Sequence, residues 1–426
     1  MITVALVFFG LMAIGVPIGY VLGIAGIVGM SQIGGEQFLA MAPKRFFAGL
    51  DLFPFLAMPF FILAGEIMNR SGITYKLVGF ADALVGYLRG GMAHTNMLAS
   101  VFFAGITGAA TADAAAFGNT LVPAMVKQGY SRPFACAVTA AGSIIGPTIP
   151  PSTLMVVYGS LMGVSIAGMF AAGILPGILI CLVCMALIVA FGRRWKLPKS
   201  GKRPSLLRIF KAFRESLLAL VMPVLILGFI LGGITTPTEA ASIAVAYALF
   251  IGVVVYRTLS WRDLYQMLAR TALITSVVFL IIASASILGW WMTFEQIPQA
   301  IAQGFLSLSQ NPTAIIGMIL LLLLAIGLFM DINAALIILA PVLAPLTAQI
   351  GMDPVHAGVM IILALNISLM TPPVGACLFV LSSVTGERIE AIAKALWPFL
   401  LVEVGVLLMI AFWEDLTLFV PRLLGL

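Results

Sequence analysis

Two stretches of this chain, about 222 residues apart, carry the same punctuation in the same order. The first runs from Gly108-Ala-Ala-Thr-Ala-Asp113 through Val122-Pro123 and Gly129-Tyr-Ser-Arg-Pro133 to Gly146-Pro-Thr-Ile-Pro-Pro-Ser152. The second runs from Leu328-Phe-Met-Asp-Ile-Asn333 through Ala344-Pro345 and Gly351-Met-Asp-Pro354 to Asn366-Ile-Ser-Leu-Met-Thr-Pro-Pro-Val-Gly375. Each places an Asp in one apolar run and a Pro-Pro pair in another. Proline removes a helical donor and frees the carbonyl about four residues earlier, so neither Pro-Pro run can remain a straight helix. In a membrane protein the pattern predicts a duplicated site built from broken helices, the hallmark of a secondary transporter.

The solvent for this fold is lipid. Of the 426 residues, 62% are hydrophobic and only 9% charged, with a mean hydropathy of +1.17. Soluble chains carry roughly 25% charged residues. Apolar runs recur along the whole length, which predicts an all-α polytopic membrane protein. The short alternating segments of an outer-membrane barrel are missing. The amino terminus has no basic region of the kind that precedes a cleaved signal, so it reads as the first membrane segment. The net charge of +6 does not indicate nucleic acid, because nine of the 22 basic residues fall between Arg193 and Arg214. That is one short loop between apolar spans, and the positive-inside rule makes it cytoplasmic.

Several chemistries lack their residues. There is no G-x-x-x-x-G-K-[ST], so no ATP is bound through a P-loop. Cys136, Cys181, Cys184 and Cys377 lie in apolar helices and read as packing residues. His94 and His356 each open an apolar segment and read as boundary residues. An intramembrane enzyme has no support, since paired protease aspartates, a Ser–His dyad and H-E-x-x-H are all missing.

Walking outward from the basic loop gives two halves of the same design. The first repeat is 1–192, the loop 193–215, and the second repeat 216–426. In the first, residues 73–88 place Ile73, Leu77, Phe80, Leu84 and Leu88 on one face and predict a helix lying along the membrane surface. A re-entrant hairpin at about 94–126 follows, then a helix at about 134–161 broken at Gly146–Ser152. In the second, the surface helix is 294–310, with Phe294, Ile297, Ile301, Phe305 and Leu308 on one face. Its hairpin spans about 313–348 and its broken helix about 355–384, interrupted at Asn366–Gly375. The opening 30 residues divide at Gly15-Val-Pro17 into two short tilted crossings. About ten transmembrane helices plus two hairpins result. Five crossings per half is an odd number, so the repeats should be inverted. Both termini then lie outside, in agreement with inward Arg70, Lys76, Arg89, Lys127 and Arg132. Lys44 and Arg45 fall outside, against the charge rule.

An Asp at membrane depth costs several kcal/mol and is normally retained for a reason. Asp113 and Asp331 occupy corresponding hairpin tips. Each reads as the organiser of a cation site, as the N-cap of the hairpin's second helix, or as both. The broken helices offer carbonyls and the Thr148 hydroxyl on one side, and Asn366, Ser368 and Thr371 on the other. These are hard oxygen donors suited to Na⁺, while half-helix amino ends offer positive dipole ends to an anionic solute. The alternative for the prolines is kinking for packing alone. Glu66, Glu239 and Glu403 read as interfacial or packing residues, and Trp290, Trp291, Trp397 and Trp413 as an interfacial belt.

These motifs together resemble the large membrane subunit of the tripartite ATP-independent periplasmic (TRAP) transporters. The resemblance rests on Gly108–Gly118, Ile145–Thr153 and Leu369–Gly375, with Phe53–Glu66 and Asp353–His356, and it covers the whole chain. One departure is Thr111 and its alanine neighbours, where relatives often carry serines. The resemblance implies an elevator-type, ion-transporter-superfamily-like symporter of the bacterial inner membrane, energised by Na⁺ and using no cofactor. It also implies two partners, a small four-helix membrane subunit and a periplasmic substrate-binding protein that delivers a carboxylate-type solute. It places one Na⁺ site at Thr107, Gly146, Ile149 and Pro151 with Asp113 close by. The other falls at Gly327, Ser368, Thr371 and Pro373 with Asp331 close by. The solute would lie near Asn119, Thr148, Thr153 and Asn333. Two rivals remain: a proton-coupled carrier titrating Asp113 or Asp331, and a channel without ion coupling.

Overall fold

A computed structural model describes residues 2–34, 36–199, 205–372 and 375–426; the side chains of Glu36, Ile106 and Thr107 also lie outside the description. Lys202 and Arg203 of the basic loop, and Pro373 of the second site, are therefore outside the described residues. Lipid offers no partner to an exposed N–H or C=O, and the chain satisfies its backbone within helices.

The first half begins with α1 (Ile2–Ala13) and α2 (Ile18–Gly34), separated at Gly15, whose φ of +81° is left-handed, and Pro17. Two short helices, α3 (Glu36–Leu39) and α4 (Met41–Ala48), lead to α5 (Ala57–Arg70). Then come α6 (Ile73–Val85), α7 (Gly91–Thr107) and α8 (Ala110–Lys127). The broken helix is α9 (Arg132–Ser143), α10 (Ile145–Thr148) and α11 (Thr153–Met162), and α12 (Ile166–Phe191) closes the half. The second half runs α13 (Leu206–Leu231), α14 (Pro237–Leu249), α15 (Trp261–Phe294) and α16 (Ile297–Leu308). Its hairpin is α17 (Pro312–Gly327) and α18 (Ile332–Gln349), its broken helix α19 (Pro354–Ser368) and α20 (Ala376–Thr385). The chain ends with α21 (Ile389–Phe412) and α22 (Asp415–Leu424).

Among the described residues seven helical stretches are long and apolar enough to cross a membrane, or eight with the pair 37–48 and 53–70, bent by 53°. The opening helices are shorter: α1 has 12 residues, about 18 Å of rise against a hydrocarbon core of about 30 Å. Helix α15 is a single 34-residue helix that begins at Trp261. Its start is a capping box, in which Ser260 Oγ accepts from the Asp263 N–H at 3.2 Å and Asp263 Oδ2 from the Ser260 N–H at 3.0 Å. In the first half the same stretch breaks before α5, because Pro54 cannot continue a helix.

Packing exchanges the two halves. Helix α2 lies against α15 while α5 lies against α14; α8 packs on α20 and α18 on α11; α9 packs on α21 and α19 on α12. Each contact becomes its mate when the halves are swapped, as a two-fold relation requires. Within this arrangement 94% of the apolar window of the broken helix 132–162 is buried, against 28–56% for the other candidate spans. The broken helix is therefore the centre of the bundle, and the others keep a face for lipid.

The α2–α15 seam depends on glycines. A Cβ on Gly26 would come within 2.8 Å of the Leu288 backbone nitrogen, and one on Gly29 would meet the Trp291 ring. Trp291 is consequently buried rather than interfacial. Backbone cannot yield as a flexible side chain can, so Gly26→Ala is expected to destabilise by about 1–3 kcal/mol. A fall in the thermal midpoint of the purified protein would register this, while an unchanged midpoint would contradict the close approach.

Candidate ion and solute site

The break in the first half spans Ile149 to Ser152. Helix α10 ends at Thr148, Ile149 and Ser152 are extended, and α11 starts at Thr153. Pro150 and Pro151 supply no N–H, which releases the carbonyls of Gly146 and Pro147 from helical bonding. The tip of the first hairpin rests on this break. Gly108, left-handed at φ +59°, lies so close to the Pro151 carbonyl and Ser152 that a side chain there would collide with them. Glycine tolerates both the conformation and the contact. One helical turn farther on, Asp113 is fully buried in the first turn of α8. Its carboxylate lies against Gly146, where an added Cβ would overlap it.

In the second half the end of α17 likewise meets the broken helix. Gly327 packs against the Ser368 hydroxyl so closely that a Cβ would overlap it. The Ser368 hydroxyl donates to the Leu365 carbonyl (2.6 Å) and Thr371 to the Ile367 carbonyl (2.8 Å). Asp331, by contrast, is exposed and caps α18, accepting from the N–H groups of Asn333 (2.9 Å) and Ala334 (3.3 Å). The expected equivalence of the two aspartates therefore fails. At the offset that superposes the Pro-Pro pairs, Asp331 falls opposite Ala109 and Asp113 opposite Ala335. Both sit near a tip, but one turn apart on the helix, which turns one into a cap and buries the other.

Across the centre, Asn366 Nδ2 donates to Thr148 Oγ1 at 3.4 Å, and Thr148 donates to the Ile144 carbonyl at 2.8 Å. Ser143 donates towards Cys377 Sγ at 3.5 Å. The two broken helices are thus joined to each other, not only each to its own hairpin. Asn366 Oδ1 and Ser152 Oγ are buried and have no hydrogen-bond partner among the described residues. Buried orphans of this kind point to a place for a water or a ligand. Among the described residues no three His, Cys, Asp or Glu side chains gather as a metal site.

The four expected solute residues stand in different settings. Thr148 is fully buried and its hydroxyl is engaged. Asn119 is exposed; it donates to the Ala115 carbonyl (3.0 Å) and lines a separate pocket of about 160 Å³ with Arg132 and Thr385. Asn333 donates to Asp331 (3.2 Å), and Thr153 opens α11. Of Thr107 the structure gives the backbone end of α7 and no side chain. The family resemblance already set Gly146 beside Asp113, whereas the Asn366–Thr148 bond between the two broken helices has no signal in local spacing. Glu403 takes the packing alternative of its reading: it is fully buried between α21 and α12, accepting from Cys184 Sγ at 3.6 Å. Glu239 instead closes a capping box with Thr236, and Glu66 pairs with Arg270 at 3.2 Å.

A family model described as "Tripartite ATP-independent periplasmic transporter, DctM component" matches residues 5–416. The chain is 38% identical to the sialic acid TRAP transporter large permease protein SiaM of Vibrio cholerae, over 97% of this chain and 96% of that one. It is 36% identical to the C4-dicarboxylate TRAP transporter large permease protein DctM of Pseudomonas aeruginosa, over 95% and 94%. In fold it is similar to the YdaH transporter of Alcanivorax borkumensis, with a TM-score of 0.63 at 16% identity, covering 93% of this chain and 96% of that one.

Proposed function

Because this chain belongs to the DctM family of tripartite ATP-independent periplasmic transporters, we propose that it imports a small organic acid by Na⁺-coupled symport across the bacterial inner membrane. The observation that carries the reading is the meeting of two hairpin tips with two broken helices that are hydrogen-bonded to each other. In this reading Thr107, Gly146, Ile149 and Pro151, beside Asp113, surround one ion. Gly327, Ser368, Thr371 and Pro373 surround the other, with Asp331 fixing the tip above them. Ions that draw each hairpin onto its broken helix stiffen the surface between the tips. Solute and Na⁺ then raise each other's affinity by the same factor.

The two halves insert in opposite orientations, with the loop 193–215 in the cytoplasm and both termini in the periplasm. Reciprocal packing of the halves supports this. So does an asymmetry between the hairpins. Helix α18 packs on α15 and α16, whereas α8 leaves Asn119, Pro123 and Lys127 exposed. In an elevator the mate of the α18–α15 contact forms in the opposite state, with α8 docked on the scaffold. The solute is an organic anion of the class that the names of the relatives carry, sialic acid or a C4-dicarboxylate. A periplasmic binding protein delivers it, and a small four-helix membrane subunit completes the scaffold.

The burial of Asp113 favours one second reading, a proton-coupled carrier titrating that residue; exposed and capping, Asp331 no longer serves it. Reconstituted liposomes separate the two. An inward Na⁺ gradient without a pH gradient is expected to drive accumulation of solute bound to its binding protein. Accumulation driven by a pH gradient alone would transfer the coupling to protons.

A further inference from the structure

Arg45 is one of the two cations that the topology places on the outer side against the charge rule. Helix α4 carries it to the edge of a cavity of about 470 Å³ between the scaffold helix α15 and the hairpin helix α18. That is within the roughly 300–1,000 Å³ of small-molecule sites. The guanidinium carbon lies 5.5 Å from the centroid of the Trp290 ring, a stacking distance. A cation–π contact of this kind uses no N–H group as a donor to oxygen and leaves the guanidinium free to pair with a planar carboxylate. Among the described residues Arg45 Nε is buried without a hydrogen-bond partner, as is Ser160 Oγ on α11, which lines the same cavity. No Asp or Glu lines it among the described residues; the other walls include Ile282, Leu161 and Ile337. A cation beside apolar walls, with a hydroxyl lining the same cavity and no carboxylate among the described lining residues, offers a place for an anion.

We propose that this cavity binds a small organic anion, the transported solute, whose carboxylate or sulfonate pairs with Arg45 while a polar group on its body meets Ser160. The inference rests on the chain carrying an anionic solute and adds where its charge is first read: on the scaffold, by a cation that does not belong to either hairpin. A buried charge pair of this kind explains an arginine on the side of the membrane where the charge rule does not favour one. The phosphate of an anionic lipid has the same chemistry, and the test separates the two.

The transporter, purified with its small membrane subunit, is titrated with succinate, N-acetylneuraminate and isethionate while tryptophan emission is followed. At least one anion is expected to change the emission saturably, and Trp290→Phe to remove most of that change. Arg45→Gln is expected to weaken binding at least about tenfold, with Arg45→Lys in between and the thermal midpoint of both variants checked for folding. Unchanged affinity in Arg45→Gln, or no response of the unsubstituted protein to any of the three, overturns the proposal. So does native mass spectrometry in which Arg45→Gln sheds an anionic lipid and keeps its solute affinity, which would assign the cavity to lipid. In liposomes Arg45→Gln is expected to raise the solute KM and retain the Na⁺ requirement. A loss of Na⁺ dependence in the unsubstituted protein would strike the symport reading and leave the Arg45 result standing.

Discussion

Replacing Asp113 with Asn is expected to raise the Na⁺ concentration for half-maximal uptake at least about tenfold, whereas Asp331→Asn is expected to change it by less than about threefold. The two differ in burial, not in chemistry. Asp113 is fully buried with its carboxylate against Gly146, whose carbonyl the following prolines release. A charge withdrawn from water interacts strongly with a cation a few ångströms away, because little solvent screens it. Asp331 is exposed, and its oxygen already accepts two backbone N–H groups and the Asn333 amide. Asn is itself a good cap, so that role survives the substitution. Gly146→Ala is the companion variant, since its methyl group would occupy the place of the Asp113 carboxylate. It should impair Na⁺-driven uptake as severely as Asp113→Asn while the protein still folds. Equal effects of the two aspartate variants on the Na⁺ dependence would restore the equivalence that the structure denies.

Tethering the bundle to the scaffold is expected to abolish transport, and tethering two scaffold helices to spare it. Ile282 on α15 and Ile338 on α18 line the same cavity, on opposite sides of the boundary across which an elevator must slide. Cysteines at both positions, bridged by a bis-maleimide, would fix the present docking. The control lies within the α2–α15 seam. A Cβ at Gly23 would lie 3.6 Å from Ser284 Cβ, within the roughly 3.5–4.5 Å that a disulfide requires. The four native cysteines are buried and react slowly with such reagents. Uptake that continues with the first bridge formed would remove the elevator and leave a channel or a purely local gate.

Much of the architecture was legible because lipid constrains the backbone so severely. An apolar run must be a helix there, so its length, its breaks at Gly and Pro and its amphipathic face are nearly sufficient to place it. Hence the residues about 94–126 and 313–348 each form a pair of helices, and α6 and α16 fall on the two amphipathic stretches. The start of α15 carries a local signal too, Ser260 and Asp263 three residues apart. The site was less legible. Similar punctuation suggested two equal aspartates, but a helix turns about 100° per residue, and a shift of four residues exchanges the tip for the interior.

The sequence by itself determined the membrane class, the duplicated order of elements and the positions of both breaks, since these follow from which backbone groups can be satisfied and from the prolines that cannot donate. Only the tertiary structure decided that Asp113 meets Gly146, that Asn366 reaches Thr148 across the halves, and that Arg45 stacks on Trp290 at the edge of a cavity. These contacts join residues 33 to 245 positions apart. Their energies depend on burial and direction after the helices have packed, and no local pattern in the chain encodes either.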